Sequence, residues 1–127
     1  MQSERQSKIL VVDDEAVNVE VLREWLEYEG YEVITAFDGG EAVKRAETES
    51  PDLILLDVIM PHLNGFLVCK RLKASEQTRH IPIVFLTAAD FRQAQDRAIS
   101  SGADGFLAKP IGSKDLIGMI DSVLGKR

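Results

Sequence analysis

Two hydrophobic periods alternate along this chain, and the switches between them mark out five strand-then-helix units. Lys8 to Val12 is a short β-branched run, after which the spacing turns helical through Val17, Val21, Leu22, Trp25 and Leu26. Gly30 closes that helix. Tyr31 to Ala36 reads as a second strand, and Asp38-Gly39-Gly40 opens a helix with Ala42, Val43 and Ala46 on one face. Leu53 to Leu56 is the most apolar strand, and beyond a loop from Pro61 to Gly65, Asn64 is placed to cap a helix holding Leu67, Val68 and Leu72. Ile81 to Leu86 predicts a fourth strand, followed by a weaker helix from about Asp90 to Ser100. Gly105 to Ala108 predicts a short fifth strand, and Ser113 is placed to cap a final helix with Leu116, Ile117, Ile120, Val123 and Leu124 inward.

Strict alternation of this kind predicts an α/β, doubly wound parallel sheet, because parallel strands need crossovers and right-handed crossovers place helices on both faces. The continuously apolar strands suit a sheet covered on both sides. At 127 residues the chain is expected to form one domain with its core between about Lys8 and Leu124, a length that buries roughly two-thirds of the unfolded surface.

Composition narrows the function classes. With 15 basic and 21 acidic residues the formal charge is −6, and no Lys/Arg cluster of the kind that broad phosphate-backbone binding needs stands out, so direct nucleic-acid binding is not expected. The single Cys69 excludes an intramolecular disulfide framework and a multi-cysteine zinc site, and it fits a reducing, cytoplasmic setting. No apolar run approaches the roughly 20 residues of a membrane span, and the polar start of the chain does not resemble a signal peptide.

The chemistry collects at strand ends, where open α/β sheets bind ligands. The first predicted strand runs into Asp13-Asp14-Glu15, the third into Asp57, the fourth into Thr87 and the fifth into Lys109-Pro110. With strand order 2-1-3-4-5 the first and third strands are neighbours, and Asp13, Asp14 and Asp57 share one pocket. Taken alone, Asp13 and Asp14 could simply cap the first helix. Asp57 is harder to explain structurally, because desolvating a carboxylate at the end of a buried strand costs several kcal/mol. Three clustered carboxylates call for a cation, and an all-oxygen donor set with open water positions selects Mg²⁺, with Mn²⁺ possible, over zinc. A hard cation, the Lys109 ammonium and the Thr87 hydroxyl would bind a phosphoryl group, with Asp57 as its covalent acceptor.

Asp13-Asp14, Asp57 within Asp57-Val-Ile-Met-Pro61, Asn64-Gly65, Thr87-Ala88 and Lys109-Pro110 stand at the intervals seen in the receiver domain of two-component response regulators, and the chain resembles that family from Lys8 to Leu124. The resemblance implies a flavodoxin-like (βα)5 fold in which Asp57 takes a phosphoryl group from a histidine kinase, a histidine phosphotransfer protein or a small phosphodonor. It also implies that Asp14, Asp57 and the Ile59 backbone carbonyl hold Mg²⁺ directly, with Asp13 acting mainly through a metal-bound water. Thr87 and Lys109 would contact phosphoryl oxygens. Phe106 would act as a rotamer switch that follows Thr87 and re-forms the surface of the fourth helix, fifth strand and fifth helix for an output domain, a partner protein or a homodimer. Such a domain is not an enzyme beyond its own phosphorylation and dephosphorylation. Phe106 replaces the tyrosine often found there, and Ile59 and Ala89, which offer no hydrogen-bonding side chain, predict slow self-dephosphorylation.

Other classes fit less well. An aspartate-nucleophile phosphatase would need Asp-x-Asp after the first strand, where this chain has Asp13-Asp14-Glu15, and a cap insertion for which there is no room. A flavin electron carrier would need a phosphate loop where three acidic residues stand. A receiver-like interaction module without phosphorylation would not need the full acceptor set. His62 and His80 are expected in solvated loops, and Cys69 on a helix without chemistry.

Overall fold

The computed structural model describes residues 7–60, 63–87, 100, 102–109 and 111–125. In chain order the elements are β1 (Lys8–Val12), α1 (Ala16–Tyr28), β2 (Glu32–Ala36), α2 (Gly39–Glu49), β3 (Leu53–Asp57), β4 (Ile59–Met60), β5 (Leu63–Asn64), α3 (Gly65–Ala74), β6 (Ile83–Thr87), β7 (Gly105–Ala108) and α4 (Ser113–Leu124). The main sheet is parallel throughout, in the order β2-β1-β3-β6-β7. That is the expected 2-1-3-4-5 order of a flavodoxin-like fold. The helix expected near Asp90–Ser100 lies, save Ser100, outside the described residues.

Strand parity builds the core. Leu10, Val12, Ile54, Leu56, Ile83 and Phe85 point to one face, where they pack with Ala42 and Ala46 of α2 and Phe66, Val68, Cys69 and Leu72 of α3. Ile9, Val11, Leu53, Leu55, Val84 and Leu86 point to the other, against Val19, Leu22 and Leu26 of α1 and Leu116 and Ile120 of α4. The β3 strand is buried at every position, which is why its sequence shows no polar alternation. At about 25 cal/mol per Å² of apolar surface, this two-sided burial is the dominant stabilising force. Phe66 meets Phe85 edge-on, with centroids 5.0 Å apart and planes at 72°, a favoured aromatic arrangement.

Local signals explain most of the ends. Asp38 Oδ1 accepts from Glu41 N at 2.8 Å, while Glu41 Oε1 accepts from Phe37 N at 2.9 Å, a reciprocal cap that starts α2. Gly30 follows α1 with φ +95°, in the region glycine enters without a Cβ penalty. Pro82 has no N–H to give a strand, and β6 begins two residues later than expected, at Ile83. The backbone N–H of Ile83 donates to Asp104 Oδ2 at 2.9 Å, and Lys73 Nζ reaches the same oxygen at 3.2 Å.

Several expectations are corrected. Residues 59–60 and 63–64 form a two-stranded antiparallel ladder, Ile59 opposite Asn64 and Met60 opposite Leu63, whereas Pro61 to Gly65 was expected to be a plain loop. The last helix is capped by Gly112 with no side-chain bond, and Ser113 is its first residue. Val17 and Val21 are exposed on α1 and Leu67 on α3. In each helix a second apolar position lies off the buried stripe. Among the described residues no helix is long and apolar enough to cross a membrane.

Candidate functional site

The sheet register assembles the strand ends into two rows. Val12 pairs with Leu56 and Asp57 with Leu86, and so Asp13, directly after β1, stands level with Asp57. Thr87 pairs with Ala108, one row further out and one residue before Lys109. Thr87 is the last residue of β6, at the register position diagonal to Phe106; its hydroxyl lies outside what is described, as does Ala89.

Asp13 and Asp57 are 0% and 5% exposed, and with Thr78 they are the buried polar residues of the described chain. Asp14 is exposed. One carboxylate oxygen from each of Asp13, Asp14 and Asp57 lies within 4.8 Å of the others. Lys109 enters from the end of β7, with Nζ 3.4 Å from Asp57 Oδ1 and 3.7 Å from Asp13 Oδ2. Burying carboxylates is tolerable when a cation and hydrogen bonds compensate them. Three carboxylates against one ammonium leave a formal charge of −2, the deficit a divalent cation would cancel. The donors are all oxygen, and their spacing is compatible with the roughly 2.0–2.6 Å bonds of Mg²⁺ or Ca²⁺. The cluster could therefore hold such an ion.

The helix-cap alternative is only partly realised. The cap position of α1 is Glu15, whose side chain makes no capping bond. Asp13 Oδ1 accepts from Glu15 N at 3.0 Å, which ties the buried carboxylate to the start of the helix. Asn18 Nδ2 then donates to Asp13 Oδ2 at 3.3 Å and to Glu15 Oε1 at 2.8 Å. Asn18 was not among the residues singled out from sequence, although its i+3 spacing from Glu15 would have placed the two on one helix face.

Gly65 was noted from sequence only as the end of a loop and within Asn64-Gly65, and its packing role was not read. A Cβ built there would stand 2.5 Å from the Asp57 backbone oxygen and 2.9 Å from Val58 Cα, and Gly65 N donates to Val58 O at 2.9 Å. The start of α3 thus rests directly on the backbone of the candidate acceptor, at a distance only glycine permits. Ile59, two residues past Asp57, pairs with Asn64. Phe106 is partly buried against the α2–α3 side of the core, where Phe85 is its partner in register. Cys69 is fully buried, and burial pushes its thiol up to about 11, in keeping with an inert helix residue. His80 is exposed in a turn, as expected; His62 lies outside the described residues.

Residues 9–121 match the family model described as response regulator receiver domain. The response regulator PleD of Caulobacter vibrioides is 47% identical over 117 residues, covering 92% of this chain and 26% of PleD. The chain therefore spans about a quarter of that relative's length. Among solved structures, Vibrio cholerae chemotaxis protein CheY4 superposes with a TM-score of 0.89 at 33% identity, covering 94% of this chain and 99% of that one. The receiver domain of the Pseudomonas aeruginosa sensor histidine kinase PA1611, described with a magnesium ion coordinated in its active-site cleft, gives 0.88 at 32% identity, covering 96% and 100%. With the acidic cluster, the lysine and the five-stranded parallel sheet in place, the chain belongs to the receiver domains of two-component response regulators.

Proposed function

We propose that Asp57 is the phosphoryl acceptor and that Asp13, Asp14 and Asp57, with the Ile59 carbonyl, hold Mg²⁺. The observation that carries this reading is a cluster of three carboxylates, two of them buried, against which Lys109 is the one close ammonium among the described residues, leaving a −2 deficit. When bound, the ion would supply positive charge against the equatorial oxygens of the phosphoryl group. Asp57 presents Oδ1 toward Lys109 at 3.4 Å, the ammonium that pairs with the phosphoryl group once the aspartate carries it. Asp13 is itself fixed by Asn18 and the Glu15 amide, so that it would meet the ion without side-chain rearrangement.

The donor is a phosphohistidine of a histidine kinase or phosphotransfer protein, or a small acyl phosphate. The P–N or P–O bond breaks as the Asp57 Oδ–P bond forms, and the imidazole or carboxylate leaves. Thr87, diagonal to Phe106 in register, then draws toward the phosphoryl group, and Phe106 turns into the space it vacates. The readout is the β7–α4 face with the segment before it, used for an output domain, a partner protein or a second copy.

Intact mass after incubation with acetyl phosphate, with and without Mg²⁺, tests the core of this reading. A gain of about 80 Da that needs Mg²⁺ and vanishes in Asp57→Ala supports it; no gain while Mg²⁺ binding is measured directly would refute it.

A further inference from the structure

The outer face of α3 carries a second surface that the acceptor chemistry does not use. Leu67 is 58% exposed, and Lys70, Arg71 and Ala74 are exposed beside it. Their i, i+3, i+4, i+7 spacing forms a single stripe along the helix. Next to it a groove of about 310 Å³ runs between α2 and α3, lined by Gly39, Val43, Leu67, Val68 and Arg71.

Charge distinguishes this stripe from the rest of the molecule. The α3 helix holds Lys70, Arg71 and Lys73 and no acidic residue, in a chain of formal charge −6. Lys73 is occupied, bonding Asp104, the Ile81 carbonyl at 2.9 Å and the Arg79 carbonyl. Lys70 and Arg71 make no ion pair among the described residues. The helix dipole favours cations in the last turn and accounts for the position of Arg71. It does not account for a leucine held out beside a groove with two cations next to it. Glu47, one turn beyond Val43, is the acidic residue of α2 closest in spacing to this groove, and no ion pair joins it to Arg71.

We propose that this face docks an acidic amphipathic helix of a partner protein. Apolar side chains of that helix at i, i+3/i+4 and i+7 fill the groove against Val43 and Leu67, and its carboxylates meet Lys70 and Arg71. The net charge of −6 opposes an acidic helix elsewhere in general, and α3 is the helix among the described residues with cations and no acidic residue to meet it. The seat is mechanically close to the acceptor, because α3 starts at Gly65, which bonds Val58 O. Val43 and Phe106 also pack against the same core cluster.

Two designed helical peptides of about 15 residues, each with leucines at i, i+4 and i+7 and either glutamates or lysines elsewhere, test the proposal on the full chain. The glutamate peptide is expected to bind with amide shifts confined to residues 39–47 and 67–74. Its affinity should fall about tenfold between low and moderate salt. Leu67→Glu and the double variant Lys70→Glu/Arg71→Glu should each weaken it about tenfold. Both alter exposed positions, and unchanged thermal melts establish that they fold. Equal binding of the two peptides, shifts on another face, no binding at millimolar peptide, or tighter binding of a short DNA duplex through Lys70 and Arg71 would each overturn the proposal.

Discussion

Replacing Gly65 with alanine adds one methyl group at the point where α3 meets the acceptor strand. That Cβ would stand 2.5 Å from the Asp57 carbonyl oxygen, 2.9 Å from Val58 Cα and 3.2 Å from Val58 O, all backbone atoms. Contacts below 3.0 Å are essentially never seen for a Cβ, and so the Asp57 carbonyl must retreat by at least about 0.5 Å, and by roughly twice that for an ordinary contact. No flexible side chain is available to absorb the shift. Overpacking of this kind costs about 1–3 kcal/mol, and a displacement approaching 1 Å of a reacting group can cost on the order of 10²-fold in rate. The expectation for Gly65→Ala is a urea midpoint lowered by that free energy, together with Asp57 labelling by acetyl phosphate slowed about 10- to 100-fold while the far-ultraviolet dichroism is retained. The measurement is an intact-mass time course beside an equilibrium melt. A variant that labels at the parental rate with parental stability would show that the approach of α3 to Asp57 carries no strain, and the reasoning would fail.

Other perturbations separate charge from packing. Lys109→Met removes the ammonium 3.4 Å from Asp57; phosphorylation is expected to fall about 10²-fold while Mg²⁺ affinity, read by calorimetry, holds or rises because the site becomes more negative. Cys69, whose thiol burial pushes up to about 11 from 9.0, keeps its proton in the folded state after the unfolded chain has lost it. Its contribution to stability is therefore full below about pH 9 and is lost as pH rises toward 11, on the order of 1–3 kcal/mol; Cys69→Ala should flatten the alkaline limb of a urea-midpoint profile, and an unchanged limb would refute this. Tyr31, buried and donating to Asp121, joins the start of β2 to α4, and Tyr31→Phe is expected to cost about 1–2 kcal/mol in thermal unfolding. Phosphate on Asp57 should persist longer in the parent than in an Ile59→Asn/Ala89→Glu variant, followed by loss of the mass increment.

Much of the fold was legible because buried parallel strands are written as continuous apolar runs. Leu53–Leu56 and Ile83–Leu86 needed no partner to be read as strands. The convergence of Asp13, Asp57 and Lys109 was legible for a topological reason: strand ends share one edge of the sheet. Helix faces were read less well. Val17 and Val21 repeat at helical spacing as faithfully as Leu22 and Leu26, yet only the latter pair is buried, because which stripe faces the sheet is a matter of tertiary packing that helical spacing does not encode. Leu67 misled in the same way. The Ile59–Asn64 ladder is two residues long on each side, too short to carry a period. The demand for glycine at position 65 comes from the backbone of residues 57 and 58, a tertiary contact that no local pattern announces. Asn18 was passed over because its partner Asp13 lies across the strand-to-helix turn.

The bond from Ile83 N to Asp104 Oδ2, the Asp104 N to Ile83 O bond at 2.8 Å and the Lys73 bridge all grip the beginning of the edge strand. Three fastenings sit at one end of β7, and Lys109 stands at the other. The strand is thus anchored on the side of the sheet remote from the carboxylates, and although the β6 ladder runs on to Thr87–Ala108, any displacement of the Lys109 end would pivot about Asp104. Amide exchange should register that pivot as slow protons at Ile83 and Asp104 and faster ones toward Ala108.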